Sequence, residues 1–257
     1  TTEIYTLSLH DALPISVTAS KICRLWNEER CRGAPPVPPG EQLLRHAGTR
    51  GRIVHICIVV PAYNAGATIA RVAEEALRPG CPLLVVDDGS MDGTAEQVAD
   101  LPVEVIRHPV NLGKGAALRT GFAWALDKGF SGIVTLDADG QHDPSAIPRL
   151  AAAALEQEMD ILIASRATQF DEMAGLRSWW NRFGVWCMRK KTGFEITDSQ
   201  SGFRYYSAQL LETVNLTGSG YELEMEILMK AWRGGFRIGS LPVAARVADG
   251  RPTSHFR

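Results

Sequence analysis

The chain has 257 residues, 45% of them hydrophobic, and a formal net charge of −2. This length allows a sizeable core in one large domain or two small ones, and so small a charge gives no overall attraction to nucleic acid. The 5 cysteines are scattered without a Cys-x-x-Cys pair, which argues against a disulfide framework or zinc site and favours a reducing cytoplasm. The sequence has no run of about 18 apolar residues, as a membrane-spanning helix needs, and no secretory signal pattern at its start.

Residues 1–50 differ from the rest of the chain. Residues 1–16, TTEIYTLSLHDALPIS, have no clear periodicity and resemble a translated sequencing adapter, so we treat them as non-native. Residues 31–40, CRGAPPVPPG, predict an irregular linker, and a short helix is expected within 17–30. We therefore expect one domain, over residues 51–257.

From residue 53 onward, strand and helix patterns alternate. The predicted strands are 53–60, 83–86, 103–107, 132–136 and 160–164. The predicted helices are 68–77, a short one from 94, one from the turn at 111–115 to about 128, and 146–155. This alternation predicts an α/β fold with a mostly parallel sheet covered by helices.

Polar residues follow the end of every predicted strand. They are Tyr63 and Asn64, Asp87 and Asp88, Asn111 to Lys114, Asp137 to Asp143, and Ser165 and Arg166. Because ligands of such sheets bind at the carboxyl ends of the strands, we expect a ligand site at this edge.

The stretch LDADGQHDP, residues 136–144, is the most informative of these clusters. In an extended chain alternate residues share a face, so Asp137, Asp139 and Gln141 would point the same way. Hard oxygen ligands of this kind suit Mg²⁺ or Mn²⁺. For the motif alone, a solvated polar turn is an equal alternative, since Asp is common in turns.

The remaining residues of this stretch favour neither a calcium loop nor a further metal ligand. An EF-hand calcium loop is excluded, because His142 and Pro148 stand where a Gly and a Glu are needed. Asp143, followed by Pro144, is expected to cap the next helix rather than bind a metal.

Common nucleotide motifs are missing from the sequence. The turn after the first strand, PAYNAG, lacks the Gly-x-Gly-x-x-Gly of dinucleotide-binding proteins, and Gly113-Lys114-Gly115 lacks the remaining residues of a P-loop. The alternative is a nucleotide site in which Asp88 accepts from a base N–H and Tyr63 packs against the base. A metal at the fourth strand would then bridge a diphosphate and stabilise the leaving group.

Eight stretches, in order and at the family's spacing, resemble the inverting family 2 glycosyltransferases that include dolichyl-phosphate mannose synthases and bacterial polyprenyl-phosphate sugar transferases. They are VVPAYN, VVDDGSMDGT, NLGKGAALRTG, LDADGQHDP, ASR, DSQSGFR, YELEMEIL and SHF. The resemblance covers residues 53–256. It implies the GT-A (nucleotide-diphosphosugar transferase) fold, a nucleotide sugar donor, a divalent metal and often a membrane-embedded lipid phosphate acceptor.

The resemblance also implies roles for individual residues. Pro61, Tyr63 and Asp88 would hold the nucleoside, and Lys114 and Arg166 would lie near the nucleotide sugar. Asp137, Asp139 and Gln141 would serve the metal and the diphosphate. Asp198, Ser201 and Arg204 would line the acceptor side, with Asp139, Asp198 and Arg204 as the catalytic set and His255 contacting a phosphate. Two departures are Ala65, where many relatives have Glu, and Ala164, where Gly is usual.

Residues 176–191, LRSWWNRFGVWCMRKK, combine three Trp with five cations at helical spacing. Such a helix can lie in a membrane interface, which would place the protein at the cytoplasmic membrane face, and Arg182 would reach an acceptor phosphate. The alternative is a helix that packs its Trp side onto the sheet. On composition alone, 198–204 predicts a turn before a strand, and Glu222, Glu224 and Glu226 predict a charged helix face.

The expected reaction is a single displacement at the anomeric carbon with inversion. A lipid phosphate acceptor needs little proton removal, whereas a hydroxyl acceptor would need a general base, for which Asp198 is the candidate. Transfer to a saccharide or protein hydroxyl therefore stays open, as does a non-catalytic or truncated nucleotide-sugar-binding module, because the chain ends just after SHF. A sugar-phosphate nucleotidyltransferase is disfavoured by PAYNAG. The sugar and the base, GDP or UDP, are not determined.

Overall fold

The computed structural model describes residues 54–165 and 201–243. The strands in these ranges are β1 (Ile56–Ala62), β2 (Leu83–Asp87), β3 (Glu104–Arg107), β4 (Gly132–Thr135), β5 (Ile161–Ser165), β6 (Arg204–Ser207) and β7 (Ile238–Pro242). The helices are α1 (Ile69–Leu77), α2 (Lys114–Asp127), α3 (Ile147–Glu156), α4 (Ala208–Thr213) and α5 (Glu222–Arg233). Short 3-10 turns occupy Glu96–Val98 and Pro144–Ala146.

The strands form one sheet in the order β3-β2-β1-β4-β6-β5-β7. All neighbours run parallel except β6, which lies antiparallel between β4 and β5. The predicted mostly parallel, helix-covered sheet is confirmed. Because β6 is antiparallel and Thr135 pairs with Arg204, the start of β6 lies beside the end of β4, at the edge where the polar residues collect.

The central strands are buried along their whole length because both faces of the sheet are covered. Every residue of β1 and β2 is buried. Neighbouring side chains point to opposite faces. Val60 therefore belongs to the core with α1 and α3, and Val59 to the core with α2 and α5. This double burial accounts for the continuous apolar runs in the sequence.

Pro61 is tolerated in the central strand β1 because it lies beyond the end of the pairing between β1 and β4. The backbone N–H of Ile58 donates to the carbonyl of Pro82, on the β2 side. The backbone N–H groups of the odd-numbered residues of β1 therefore point towards β4. The pairing with β4 extends to Val59. Pro61, two residues further on, therefore lies past the last paired position on that side, where its missing N–H is not needed.

The predicted boundaries need small corrections. The first strand begins at Ile56 and runs on to Ala62, and the short helix expected from residue 94 is a single 3-10 turn. Asp143 accepts a hydrogen bond from the amide of Ser145 at 3.0 Å, which confirms the predicted cap. Across the described ranges, no helix combines the length and apolar character that crossing a membrane requires.

Candidate active site

The residues after β4 form a turn rather than a continued strand. The chain leaves the sheet at Leu136 and turns at Ala138 and Asp139. The hydroxyl of Thr68 donates to the carbonyl of Ala138 at 2.6 Å, and Asp139 Oδ1 accepts from the amide of Gln141 at 2.9 Å. The extended chain expected through Asp137, Asp139 and Gln141 is therefore replaced by a turn at Ala138 and Asp139.

A chain of alternating charges starts at the partly exposed Asp137 and continues into the interior. The Nζ of Lys114 lies 2.7 Å from Asp137 Oδ1 and 3.3 Å from Glu224 Oε2. Glu224 Oε1 in turn lies 3.9 Å from Nη2 of Arg204. Two cations and two carboxylates thus alternate from the turn after β4 to helix α5. Paired in this way, the charges escape the cost of burying each one alone.

The pKa of Lys114 reflects both its burial and its two carboxylate neighbours. Burial by itself lowers the pKa of this amine, because the interior disfavours the charged form. The negative charges of Asp137 and Glu224 more than offset burial and raise the pKa above its ordinary value. Lys114 is therefore a fixed positive charge beside the turn.

Arg204 and Ser201, predicted to face the acceptor, are both fully buried. Arg204 donates from Nε to the carbonyl of Ser201 at 2.6 Å and from Nη1 to the carbonyl of Glu224 at 3.3 Å. The Ser201 hydroxyl accepts from the amide of Phe203 at 3.3 Å. Neither side chain is exposed to an acceptor in this conformation. Their groups bind the protein itself here, and the expected contact with an acceptor stays a prediction from the sequence.

Gly202 lies between these two residues and packs directly against Asp137. A Cβ at this position would be 2.3 Å from both carboxylate oxygens of Asp137. The absence of a side chain therefore allows the start of β6 to approach the turn after β4. On the other side of Asp137, His142 Nε2 lies 3.9 Å from Oδ2.

Asp88, the predicted partner of the nucleotide base, is also fully buried. Its Oδ1 accepts from the amide of Leu112 at 3.0 Å, and its Oδ2 accepts from the amide of Gly113 at 2.8 Å. His108 Nδ1 lies 2.6 Å from the same Oδ1. Asp88 therefore holds the glycine-rich turn in front of α2, and its expected contact with a base stays a prediction from the sequence.

The other residues expected at the nucleoside lie at the end of β1. Pro61 is buried and Tyr63 half-buried. Asn64 has a positive φ of 48°, its amide donates to the Ser90 hydroxyl at 2.9 Å, and its Oδ1 accepts from the amide of Met91 at 3.1 Å. The turns after β1 and β2 are therefore joined through Asn64, the residue that follows Tyr63.

The wall beside Lys114 is the loop before α5. The amide of Ala116 donates to the carbonyl of Ser219 at 2.9 Å, and a Cβ on Gly113 would be 2.5 Å from that carbonyl oxygen. Lys114 Nζ lies 5.7 Å from the ring centre of Tyr221, which is 45% exposed. The glycine-rich turn is thus clamped between Asp88 and this loop.

Glu224 is a residue of the site that the predicted charged helix face does not reveal. It is buried, and so are Ile227, Leu228 and Ala231 of α5. Positions i, i+3, i+4 and i+7 form one face of a helix. A carboxylate on that apolar face was the signal in the sequence. For His108 the sequence contains no comparable signal.

The oxygen atoms that the turn offers are of the type that binds a divalent cation. Asp137 and Asp139 offer carboxylates and Gln141 an amide oxygen, all three side chains are partly exposed, and hard oxygens are the ligands that Mg²⁺ and Mn²⁺ prefer. Within 54–165 and 201–243, no group of three His, Cys, Asp or Glu side chains is placed to hold a metal. Asp137 is engaged by Lys114 instead. Four other predicted site residues, Arg166, Arg182, Asp198 and His255, lie outside the described residues.

The sequence profile described as Glycosyl transferase family 2 matches residues 57–214. The chain belongs to this family. The match spans more than half of the chain and includes the turns after β1, β2 and β4 and the start of β6. The resemblance inferred from the eight motifs is thereby confirmed, and the chain is a glycosyltransferase.

Relatives of this family 2 chain include an undecaprenyl-phosphate mannosyltransferase and a polyprenol monophosphomannose synthase. It is 30% identical to an undecaprenyl-phosphate mannosyltransferase of Micrococcus luteus over 74% of this chain and 83% of that protein. It is also 30% identical to a polyprenol monophosphomannose synthase of Mycolicibacterium smegmatis, over 72% and 75%.

The fold has a solved counterpart. Glucosyl-3-phosphoglycerate synthase from Mycobacterium tuberculosis, in complex with Mn²⁺ and UDP-glucose, matches with a TM-score of 0.64 at 24% identity. The match covers 86% of this chain and 78% of that one. This similarity confirms the GT-A fold.

Proposed function

We propose that this family 2 glycosyltransferase moves a sugar from a nucleotide diphosphate sugar to a polyprenyl phosphate, with inversion at the anomeric carbon and with the help of a divalent metal. One relative named above is an undecaprenyl-phosphate mannosyltransferase and the other a polyprenol monophosphomannose synthase. Both similarities span about three quarters of this chain, and the family profile includes the turns after β1, β2 and β4.

The observation that carries the proposal is the Lys114–Asp137 pair at the carboxyl end of β4. In its 2.7 Å contact an ammonium lies beside a carboxylate, in the same stretch of chain as the partly exposed Asp139 and Gln141. A nucleoside diphosphate needs both kinds of group, one to attract its anionic oxygens and one to bind its cation.

The proposed division of roles follows from contacts as well as burial. Tyr63 is half-buried and Lys114 contacts the partly exposed Asp137, so both are assigned to the donor, whereas Asp88 shapes the donor side through the glycine-rich turn it holds. Ser201 and Arg204 support the site from within, and Gly202 sets the position of Asp137. The acceptor side would fall to Arg166, Arg182, Asp198 and His255, which stay predictions from the sequence.

Asp137, Asp139 and Gln141 are the residues that would hold Mn²⁺ or Mg²⁺. When bound, such a cation would neutralise charge on the departing nucleoside diphosphate. The fixed charge of Lys114 would add to the same effect. A phosphate acceptor is already an anion near neutral pH, so the chain would not need a general base, and Asp198→Asn should retain transfer. With a hydroxyl acceptor the same substitution should abolish it.

The test is transfer to undecaprenyl phosphate in detergent with MnCl₂ and either GDP-mannose or UDP-glucose, with the lipid product detected by mass spectrometry. Asp139→Ala should abolish transfer and leave the protein folded by circular dichroism. The matched control is Asp143→Ala in the same turn, which should lose about 1 kcal/mol of stability with its cap and keep transfer. A thermal-shift comparison of GDP- and UDP-sugars would identify the base, since the true ligand stabilises the folded state.

Two results would overturn the proposal. One is wild-type turnover by Asp139→Ala, which would remove the metal assignment. The other is the absence of transfer to undecaprenyl phosphate together with rapid transfer to a saccharide or protein hydroxyl, which would leave the family membership intact and exclude the lipid phosphate.

A further inference from the structure

Lys114 has two carboxylate partners, and only one of them lies at the proposed metal site. Asp137 Oδ1 is 2.7 Å from its Nζ and Glu224 Oε2 is 3.3 Å away. The Lys114 side chain is 6% exposed, that of Asp137 21% and that of Glu224 9%. The ammonium of Lys114 is therefore shared between two carboxylates. That of Asp137 is partly exposed at the sheet edge, and that of Glu224 is buried.

A divalent cation and this ammonium compete for Asp137. The carboxylate has two oxygens, and a Lys ammonium at hydrogen-bond distance from one of them partly neutralises the charge that a metal would use. Two cations on the same carboxylate also repel each other strongly where the surroundings exclude water. A metal can bind Asp137 well only if Lys114 has another negative charge to turn to.

Glu224 is held in the position where it can supply that charge. Arg204 donates to the carbonyl of Glu224 at 3.3 Å and lies 3.9 Å from its Oε1. The other oxygen, Oε2, is the one that faces Lys114. Because Arg204 is fully buried and tied to Ser201, Glu224 has a fixed place from which to hold the ammonium.

We propose that Glu224 is a positioning residue that draws Lys114 away from Asp137 when a divalent cation binds, so that the ammonium and the cation exchange at the Asp137 carboxylate. Lys114 then remains beside the site as a positive charge, held by Glu224 and available to the donor diphosphate. This inference rests on the proposed function, because it requires that Asp137 and Asp139 hold the cation.

The experiment measures binding of MnCl₂ alone to the purified protein, from the electron paramagnetic resonance signal of free Mn²⁺. Glu224→Gln is nearly isosteric but uncharged, so Lys114 stays on Asp137 and the Kd for Mn²⁺ should rise about threefold to tenfold. Lys114→Met removes the competitor, so the Kd should fall by a similar factor. Both factors lie in the range typical of coupling between contacting charged residues.

The double variant, Glu224→Gln with Lys114→Met, distinguishes an effect of Glu224 through Lys114 from a general effect of its negative charge on the metal. If Glu224 acts through Lys114, Glu224→Gln should change the Kd far less in the Lys114→Met background than in the wild type. A simple loss of negative charge near the metal would instead weaken binding equally in both backgrounds. The double variant loses one charge of each sign, so its core stays balanced, and thermal melting shows whether each variant is folded.

Lys128→Met is the matched control. It removes the same charge just after the other end of α2, roughly 20 Å away at 1.5 Å per residue, and should leave the Kd for Mn²⁺ unchanged. Equal effects of Glu224→Gln in both backgrounds would overturn the exchange and leave the metal site standing. Mn²⁺ binding that is insensitive to Asp139→Asn would instead refute the metal site itself, and with it the proposed function.

Discussion

Replacing Gly202 by Ala should disrupt the active site through a single added methyl group. The new Cβ would lie 2.3 Å from both carboxylate oxygens of Asp137, a separation that real Cβ atoms essentially never show. Either Asp137 turns away from Lys114, or the start of β6 moves away from the end of β4. Both movements displace the carboxylate that we assign to the metal and the diphosphate.

The size of the effect follows from the distance. Ordinary contact requires about 3.5 Å, so the atoms must separate by about 1 Å. Overpacking of this kind costs about 1–3 kcal/mol, and the loss of glycine's freedom in the unfolded chain offsets about 0.4–1 kcal/mol of that. We expect a net loss of about 1–2 kcal/mol of stability. A site group misplaced by about 1 Å lowers the rate on the order of 100-fold.

The assays are urea denaturation for stability and lipid-linked sugar formation for activity. Gly239→Ala, on β7, is the matched control. The atoms nearest to a Cβ there belong to the side-chain ends of Leu162 and Met159, at 3.2 and 3.3 Å, which can yield, so both measurements should stay near wild type. If Gly202→Ala transfers sugar as fast as the wild type, the position of Asp137 does not depend on this contact and the reasoning is wrong.

Three further predictions concern other parts of the chain. Asp88→Asn should lower the free energy of unfolding by about 3 kcal/mol in urea, because a buried carboxylate that accepts two backbone hydrogen bonds loses its charge. Burial raises the pKa of Glu226, but hydrogen bonds from Lys230 and the loop before α5 outweigh it and lower the pKa to about 2, from an ordinary 4.5. The stabilisation it gives is therefore complete above about pH 4.5 and lost as the pH falls towards 2, so the difference in melting temperature between wild type and Glu226→Gln should shrink over that range. Changing Trp179, Trp180 and Trp186 to Ser should abolish sedimentation with anionic vesicles and leave the melting temperature unchanged.

Each of these predictions has a contrary result. An Asp88→Asn protein as stable as the wild type would mean that the glycine-rich turn does not depend on this carboxylate. A melting difference that stays constant on acidification would remove the assigned role of Glu226. Vesicle binding that survives the Trp substitutions, together with a lower melting temperature, would favour the alternative in which that segment packs onto the sheet.

Much of the candidate site could be located from local sequence. Buried β-branched runs such as 56–60 require strands covered on both faces, and each is followed by polar residues that cannot continue into the core. That pattern was enough to place Tyr63, Asp88, Lys114 and Asp137 at one edge of the sheet. It could not show which of these side chains face solvent, because a strand end and a buried turn have similar composition.

Arg204 and Asp88 illustrate this limit. Both stand in motifs of the family, and both are charged, so direct contact with a ligand was the natural prediction. In the folded chain both are fully buried and bind backbone groups of neighbouring turns. In this conformation Asp88 holds the amide of Gly113, and Arg204 holds the carbonyl of Glu224.

The sequence by itself determined the alternation of strands and helices, the edge at which the polar turns collect and, through the eight motifs, the family. Those properties depend on short-range patterns of burial and turn formation. Only the tertiary structure decided how the charges pair. Lys114 meets Glu224, 110 residues away, and Gly202 meets Asp137 because β6 runs antiparallel to β4 with Arg204 opposite Thr135. Such pairs depend on strand register and helix docking, which no local pattern encodes.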